Sequence, residues 1–524
     1  MFRKLVMNRL ATQIAFGLLL LTALAPGASA QATGDQNTSG AAPAATGLDT
    51  TTQMSENPPL SGLDEPTFEP GYGARSYLAP KAEVSESADS NGTNEFSKTN
   101  VTTTSRALGS VELQKLWKMH PLAVDYIGGV DWYNGHNSRV YQVQSLAATQ
   151  RFLWRTGQFA LRDSFSYLPE GAFGFGSFGG AGGAYGGGGG PGGGGLGGGG
   201  VTGGTGGIFT NGQFGSVGTQ PRITNMGIAD VTQYLSPRSS MVLSAGYGLT
   251  HFLGNPQTSL CASTAGCFFN SQETILQAGY NRQISRQNQV SVVYAFEELH
   301  FPTSSAGSLN VNLLQLLFGH RISGKLDFLV GGGPEWVQRH EWVEPTLTVT
   351  QGQIQIINLP CVNPAAGVTC IPVNSSFITG SARASLRYHW SARTELLLTY
   401  LRYISPGSGF FGGANTDVVR FAVTHNLARR WTVMSDTGYS RNSRLLAATA
   451  SVAGGSANYH YWYVGGGVHR QLGRQFGAFA SYQYNAFGFG SNGCTGNTSV
   501  CGRSYGRNIG LIGLHWTPHP IRLD

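Results

Sequence analysis

The stretch Ser376-Phe377-Ile378-Thr379-Gly380-Ser381-Ala382-Arg383-Ala384-Ser385-Leu386-Arg387-Tyr388-His389-Trp390 sorts its side chains with a period of two. Ile378, Gly380, Ala382, Ala384, Leu386, Tyr388 and Trp390 fall on one face, and Thr379, Ser381, Arg383, Ser385, Arg387 and His389 on the other. A helix would scatter both sets around its axis, whereas a strand separates them completely. One face therefore asks for apolar surroundings and the other for polar ones.

The same division recurs along the chain. Val290, Val292, Tyr294 and Phe296 oppose Gln289, Ser291, Ala295 and Glu297. Met241, Leu243, Ala245, Tyr247 and Leu249 oppose Val242, Ser244, Gly246, Gly248 and Thr250, and Phe476, Ala478, Ala480, Tyr482 and Tyr484 oppose Gln475, Gly477, Ser481, Gln483 and Asn485. Of the 524 residues only 12% are charged, against about 25% in soluble domains. A hydrophobic fraction of 40% and an aromatic fraction of 11% exclude a chain that stays unfolded. Apart from one short N-terminal run, no stretch approaches the roughly 18 apolar residues of a spanning helix, which excludes a helical membrane protein. An all-β membrane barrel, half of whose strand residues face lipid, has this composition.

The first thirty residues read as a secretory signal: Arg3, Lys4 and Arg9 precede an apolar core from Ile14 to Ala25, and Ala28-Ser29-Ala30 matches a cleavage site. Removing those three basic residues takes the formal charge from +7 to +4, which gives no ground for a nucleic-acid partner. Residues 31–76 are rich in Ala, Thr, Gly, Ser and Pro and read as a flexible periplasmic leader. Residues 77–517 are expected to form the barrel, and 518–524 a tail.

Two kinds of connection alternate along the barrel. Short polar turns are expected at Lys118-Met119-His120, Arg155-Thr156-Gly157, Ser236-Pro237-Arg238-Ser239, Ser285-Arg286-Gln287-Asn288, Ser323-Gly324, Ser391-Ala392-Arg393, Ala428-Arg429-Arg430 and Leu472-Gly473-Arg474. Mostly longer loops lie between, giving the periplasmic and extracellular asymmetry of outer-membrane barrels. Counting from Tyr77 gives about eighteen up-and-down strands, and from Leu122 about sixteen; Val111, Leu113 and Trp117 before the first turn favour eighteen. Trp117, Trp154, Tyr234, Trp390 and Trp431 beside short turns, and Trp132, Tyr167, Phe252, Phe301, Tyr403, Tyr439 and Phe487 beside loops, predict two interfacial girdles. The last strand alternates through Gly510, Ile512, Leu514 and Trp516.

All six cysteines fall in predicted loops, as Cys261 with Cys267, Cys361 with Cys370, and Cys494 with Cys501. Three local disulfides are expected, since no loop holds a second pair or a histidine at zinc spacing. Residues 171–218 form a glycine-rich loop with scattered Phe and Tyr and no charged side chain, readable as a surface loop, a constriction or an adhesive patch. Gly174-Phe175-Gly176-Ser177-Phe178-Gly179 and Gly488-Phe489-Gly490-Ser491-Asn492-Gly493 satisfy a dinucleotide pattern, but neither opens a helix. His460 and His469 stand too far apart on one strand to share a metal. No catalytic motif occurs and no cofactor is expected.

The inward set is more informative. Arg162, Arg383, Arg387, Arg420 and Arg507 are predicted to line the interior with Asp125, Asp131, Glu297, Asp327, Glu395 and Asp436. On the lipid face each charge would cost about 2–4 kcal/mol near the midplane. Inside, opposite charges tune ion preference or pair and close the lumen.

With signal, alternating strands, girdles, asymmetric connections and a closing aromatic strand, the chain resembles porin-type outer-membrane β-barrels, and is similar to uncharacterised porin families of Gram-negative bacteria. An eight-residue tail, Thr517 to Asp524, departs from their ending on the aromatic. The resemblance implies an outer-membrane location, insertion by the barrel assembly machinery, outer-membrane lipid as surroundings, passive diffusion of small hydrophilic solutes and a homotrimer. Two other readings fit the patterning: a closed barrel acting as scaffold or adhesin through the glycine-rich loop, and an export barrel for a secreted polymer.

Overall fold

The computed structural model describes residues 76–90, 101–117, 119–134, 139–168, 222–253, 270–302, 307–350, 353–360, 371–391, 393–405, 411–445, 457–490 and 504–523. The signal segment, the leader as far as residue 75, the 171–218 tract and all six cysteines lie outside the described residues.

Twenty strands form one antiparallel sheet. It opens with β1 (Tyr77–Asp89), β2 (Thr102–Lys115), β3 (Leu122–Asn134), β4 (Arg139–Trp154) and β5 (Gly157–Leu168). It continues with β6 (Arg222–Ser236), β7 (Ser239–Phe252), β8 (Ser271–Gln283), β9 (Asn288–His300) and β10 (Ser308–Ser323). The long β11 (Leu326–Thr350) pairs at its far end with β12 (Gln353–Pro360) and along the rest of its length with β13 (Ile371–Ser391). β14 (Thr394–Ser405), β15 (Ala414–Ala428), β16 (Trp431–Arg444), β17 (Asn458–Gln471), β18 (Phe476–Phe489) and β19 (Ser504–Trp516) follow. β19 then pairs with β1 from Ala82↔Trp516 to Asp89↔Ile509, which closes the sheet. Setting aside β12 and the two-residue β20 (Ile521–Arg522), eighteen strands make the wall. Strands of 13 residues span about 43 Å, or about 33 Å of height at the tilt near 40° usual for such barrels, enough to cross an apolar band of about 25 Å.

The short turns share a device. Ser236, Ser285, Ser323 and Ser391 each accept, at 3.2 Å on Oγ, the backbone N–H two residues on. A serine at that place satisfies a turn N–H that the ladder leaves over. The C-terminal tail is also ordered by pairing. Ile521 and Arg522 oppose Leu78 and Tyr77, and Lys115 Nζ donates to the Leu523 carbonyl at 3.1 Å, so the ladder resumes beyond Trp516.

The outer face is apolar. Leu243, Leu316, Ile378, Ile512 and Leu514 are exposed on alternate positions, with buried Ser244, Leu317, Ser381 and Leu511 between them. Trp117, Trp154, Tyr234, Trp390 and Trp516 are exposed beside the short turns. At the loop end Trp132, Trp336, Tyr439 and Trp462 are exposed. Four members of the expected loop-side girdle are not there. Phe252, Phe301, Tyr403 and Phe487 are buried, because each has the same strand parity as inward residues such as Val242, Glu297, Leu397 and Asn485.

Leu316 stands 58% exposed midway along β10. Leu316→Arg is expected to destabilise the folded barrel by about 2–4 kcal/mol, read from urea titration of the protein refolded in lipid vesicles.

Candidate functional site

The inner face is built from cross-strand polar pairs. Arg106 on β2 and Asp131 on β3 are direct register partners joined by two hydrogen bonds of 2.6 Å. Arg162 meets Asp230 at 3.0 Å across β5 and β6. Arg420 donates to both oxygens of Asp436 at 2.8–3.2 Å across β15 and β16, and Tyr463 on β17 donates to Asp436 at 2.7 Å. Arg507 binds Asp89 across the β19–β1 seam, so an ion pair and the ladder close the barrel together. Such fork-to-carboxylate pairs are geometrically specific and need both partners once desolvated.

Of the residues expected inside, Arg162, Arg383, Arg387, Arg507, Asp131, Glu297 and Asp436 are buried on inward positions, and Arg420 and Asp327 are half-buried. Arg387 stands opposite Asp327 in the β11–β13 ladder, and Arg321 bonds Asp327 at 2.9 Å. The side chains of Asp125 and Glu395 lie outside what is described. His469, set aside for its distance from His460, instead stacks on His515, with ring centroids 4.9 Å apart.

The main feature of the interior was not legible as a motif. β13 and β14 pair from Ser391↔Thr394 only as far as Ala382↔Arg402. Beyond Arg402, β14 runs on with β15 alone, through Tyr403↔Thr416, Ile404↔Asn415 and Ser405↔Ala414. There the alternation of burial stops. Tyr403, Ile404 and Ser405 are all buried, as are Phe411, Gly412, Gly413 and Ala414. A strand in a barrel wall has a lipid face, and this segment has none.

Its two faces pack against opposite parts of the wall. Tyr403, Phe411 and Ala414 join Tyr459, Tyr461, Tyr463, Phe487, Phe489 and Ile509 from β17, β18 and β19. Adjacent Ile404 joins Leu299, Phe301, Leu309, Val311 and Val337 from the β9–β10–β11 side. Phe411 and Tyr459 have ring centroids 5.2 Å apart, and Asn415 Nδ2 donates to Thr379 Oγ1 at 3.2 Å. Gly413, with φ +83°, touches β10 so closely that a Cβ would run into Leu309 Cδ1. Arg339 of β11 reaches over to the Leu445 carbonyl just past β16 at 2.8 Å. The β14–β15 end thus crosses the lumen as a chord between its two halves.

A recess lies where the chord leaves the wall, lined by Glu297, Gln315, Glu335, Arg383 and Arg402 with Val311, Leu313 and Ile404. Glu335 is 2% exposed, and its Oε2 has no hydrogen-bond partner among the described residues. Glu297 faces Ile275 and Val311 in its two ladders, and Glu335 faces Leu313 and Thr379, so neither has a basic register partner.

An eighteen-strand closed wall, an apolar outer face and aromatic belts at both ends need a bilayer around them. The chain is an outer-membrane β-barrel. No family model and no curated protein matches it. Among solved structures it is similar to a loop-deletion mutant of OmpT, an outer membrane protein of Vibrio cholerae, with 12% identity, a TM-score of 0.30, and 85% of this chain and 100% of that one covered. OccK2 (OpdF) of Pseudomonas aeruginosa gives 10% identity, a TM-score of 0.39, and 85% and 98% covered. The ferric-catecholate import receptor Fiu of E. coli K12, open form, gives 8%, 0.40, and 85% and 82%. Scores this low carry no weight for strand-by-strand equivalence or function, so the assignment rests on the barrel's own closure and belts.

Asp436 holds both Arg420 and Tyr463, so Asp436→Ala is expected to lower stability by about 3–5 kcal/mol, as loss of one partner of a buried pair does. Asp436→Asn, which keeps an acceptor oxygen, should lose less. Urea midpoints of the two variants separate these effects.

Proposed function

We propose that the barrel is a porin-like channel for passive diffusion of small hydrophilic solutes, narrowed by the β14–β15 chord. The observation that carries this reading is the chord itself, a wall hairpin turned into the lumen of a barrel wide enough for an aqueous path. A barrel of sixteen to eighteen strands leaves a water-filled lumen unless something occupies it. The polar and charged inner face supports a path for hydrated solutes over one for apolar molecules.

Charge along the path follows from the pairing. Four arginines, Arg106, Arg162, Arg420 and Arg507, are matched by neighbouring aspartates. Glu297 and Glu335 form no ion pair within 4 Å among the described residues, and Arg402, which lines the same recess, is itself 3.7 Å from Asp417. The recess beside the chord holds two carboxylates, Glu297 and Glu335, and two guanidiniums, Arg383 and Arg402, and the balance of charge at such a constriction sets ion preference.

A second reading, a closed barrel serving as a surface scaffold or adhesin, draws support from the two apolar clusters that meet the chord. Planar-bilayer recording of the refolded mature chain distinguishes the two, beside a variant in which residues 404–415 are replaced by a Gly-Ser linker. The channel reading expects small discrete steps that grow in the variant. Steps only in the variant would mean a plugged lumen, and silence from both folded proteins would contradict the channel and favour the scaffold.

Replacing Glu297 and Glu335 together by Gln should move the reversal potential under a salt gradient toward anions. An unchanged potential in a conducting channel would remove both from the selectivity assignment.

A further inference from the structure

The eight short turns carry one sign of charge. The eight connections are residues 116–121, 155–156, 237–238, 284–287, 324–325, 392–393, 429–430 and 472–475. They contain Lys118, Arg155, Arg238, Arg286, Lys325, Arg393, Arg429, Arg430 and Arg474, at least one in every turn, and no Asp or Glu. At the chain's average of 34 basic residues in 524, so few positions would hold about two. Arg155, Arg238, Arg286, Lys325, Arg393, Arg429, Arg430 and Arg474 are exposed. Toward the opposite end of the wall both signs are exposed, as at Glu298 and Arg441.

Turn formation does not require these residues. The serine hydroxyls satisfy the turn N–H groups at four of the connections, and the basic side chains described there are exposed. Their placement has a second feature. The ring sits next to the belt of Trp117, Trp154, Tyr234, Trp390 and Trp516, which marks headgroup depth on that side. Near the same end of the wall, the Arg470 guanidinium of β17 lies 4.8 Å from the centre of the Trp431 ring of β16, so a basic and an aromatic side chain meet there.

We propose that the short-turn rim is a docking collar for anionic phospholipid headgroups of the periplasmic leaflet. Basic side chains just outside an interfacial aromatic belt lie within a Debye length of the headgroup charge, and each adds to the attraction. Guanidinium groups also suit phosphate, through paired N–H donors. The collar surrounds the whole barrel, so it holds the protein at a fixed depth and selects its lipid neighbours without needing a cleft. This role is independent of whether the lumen conducts.

The test uses the mature full chain refolded in phosphatidylcholine vesicles containing phosphatidylglycerol, with spin-labelled lipids reporting which headgroup occupies the boundary. Wild type should hold phosphatidylglycerol several-fold over phosphatidylcholine at low salt, and the preference should fall as salt rises. A variant with Arg155, Arg238, Arg286, Lys325, Arg393 and Arg474 replaced by Gln should show parity, whereas Arg441→Gln, at the other end of the wall, should behave as wild type. Heat-modifiable gel mobility confirms that each variant is folded, and a two-turn variant, Arg286→Gln with Arg393→Gln, gives an intermediate preference if the full set fails to refold. Equal association of both lipids with wild type, or an unchanged preference in the six-residue variant, would overturn the proposal. So would sedimentation with purified peptidoglycan that depends on the six residues while lipid preference is absent, since the collar would then face the cell wall.

Discussion

Inside a bilayer no water is present to take up an unpaired N–H or C=O, so a sheet can cross only if its first and last strands meet. Here that meeting is β1 with β19, from Ala82↔Trp516 to Asp89↔Ile509. The other features follow from it. Closure requires strands long enough to cross, short turns to keep neighbours in register, and a strict division of side chains between lipid and lumen. The Arg507–Asp89 pair and the return of Ile521 and Arg522 onto β1 add side-chain and backbone bonds at the seam, where the two joined strands are furthest apart in sequence.

The one place where the wall gives way is instructive. β11 carries Gly331-Gly332-Gly333-Pro334, and its ladder with β10 skips Gly333 and Pro334. On the other side of β13, β14 departs after Arg402. Proline removes a donor, and the glycines let backbones approach where a Cβ would strike the carbonyls of Leu314, Leu316 and Ser381. The gap in the β10–β11 ladder and the departure of β14 thus lie at one level of the wall. Once off the wall, the β14–β15 end has no lipid face, and its residues are apolar or small on both sides: Tyr403, Ile404, Phe411, Gly412, Gly413 and Ala414. Burial of each large side chain there stabilises the chord by about 1.5–3 kcal/mol.

Much of this architecture was legible in the amino-acid sequence because a period of two is a local property. The alternation of Ser376 to Trp390 fixed the faces of β13, and seven of the eight short turns fall where Ser, Gly or Arg stand between alternating segments. The inward positions of Arg383, Arg387 and Arg507 followed from parity alone. Parity was also the signal that should have moved Phe252, Phe301, Tyr403 and Phe487 from the girdle to the interior, since counting in twos from Val242, Glu297, Leu397 and Asn485 reaches each of them. What could not be read was the partner of each charge and the path of the chord. Arg420 and Asp436 lie on different strands, and their meeting depends on a register that local patterning does not specify. The chord depends on tertiary packing between strands as distant in sequence as β10 and β17. The cysteine pairings and the glycine-rich tract remain expectations of the sequence.

The central claim is that the end of the β14–β15 hairpin lies within the lumen against β10, and its most direct measurement is disulfide trapping. In a chain whose six native cysteines are replaced by serine, Leu309→Cys and Gly413→Cys relieve the side-chain clash at Gly413 and place two thiols side by side where the hairpin end meets β10. Oxidation of the folded protein in membranes should then give a bridge between them, seen as a reducible shift in gel mobility. A control pairing Gly413→Cys with Ser291→Cys, lower on the neighbouring strand, should give none. Bridging no greater than the control would mean that the hairpin end stands in the wall or outside it, and the account of a lumen crossed by a chord would be wrong.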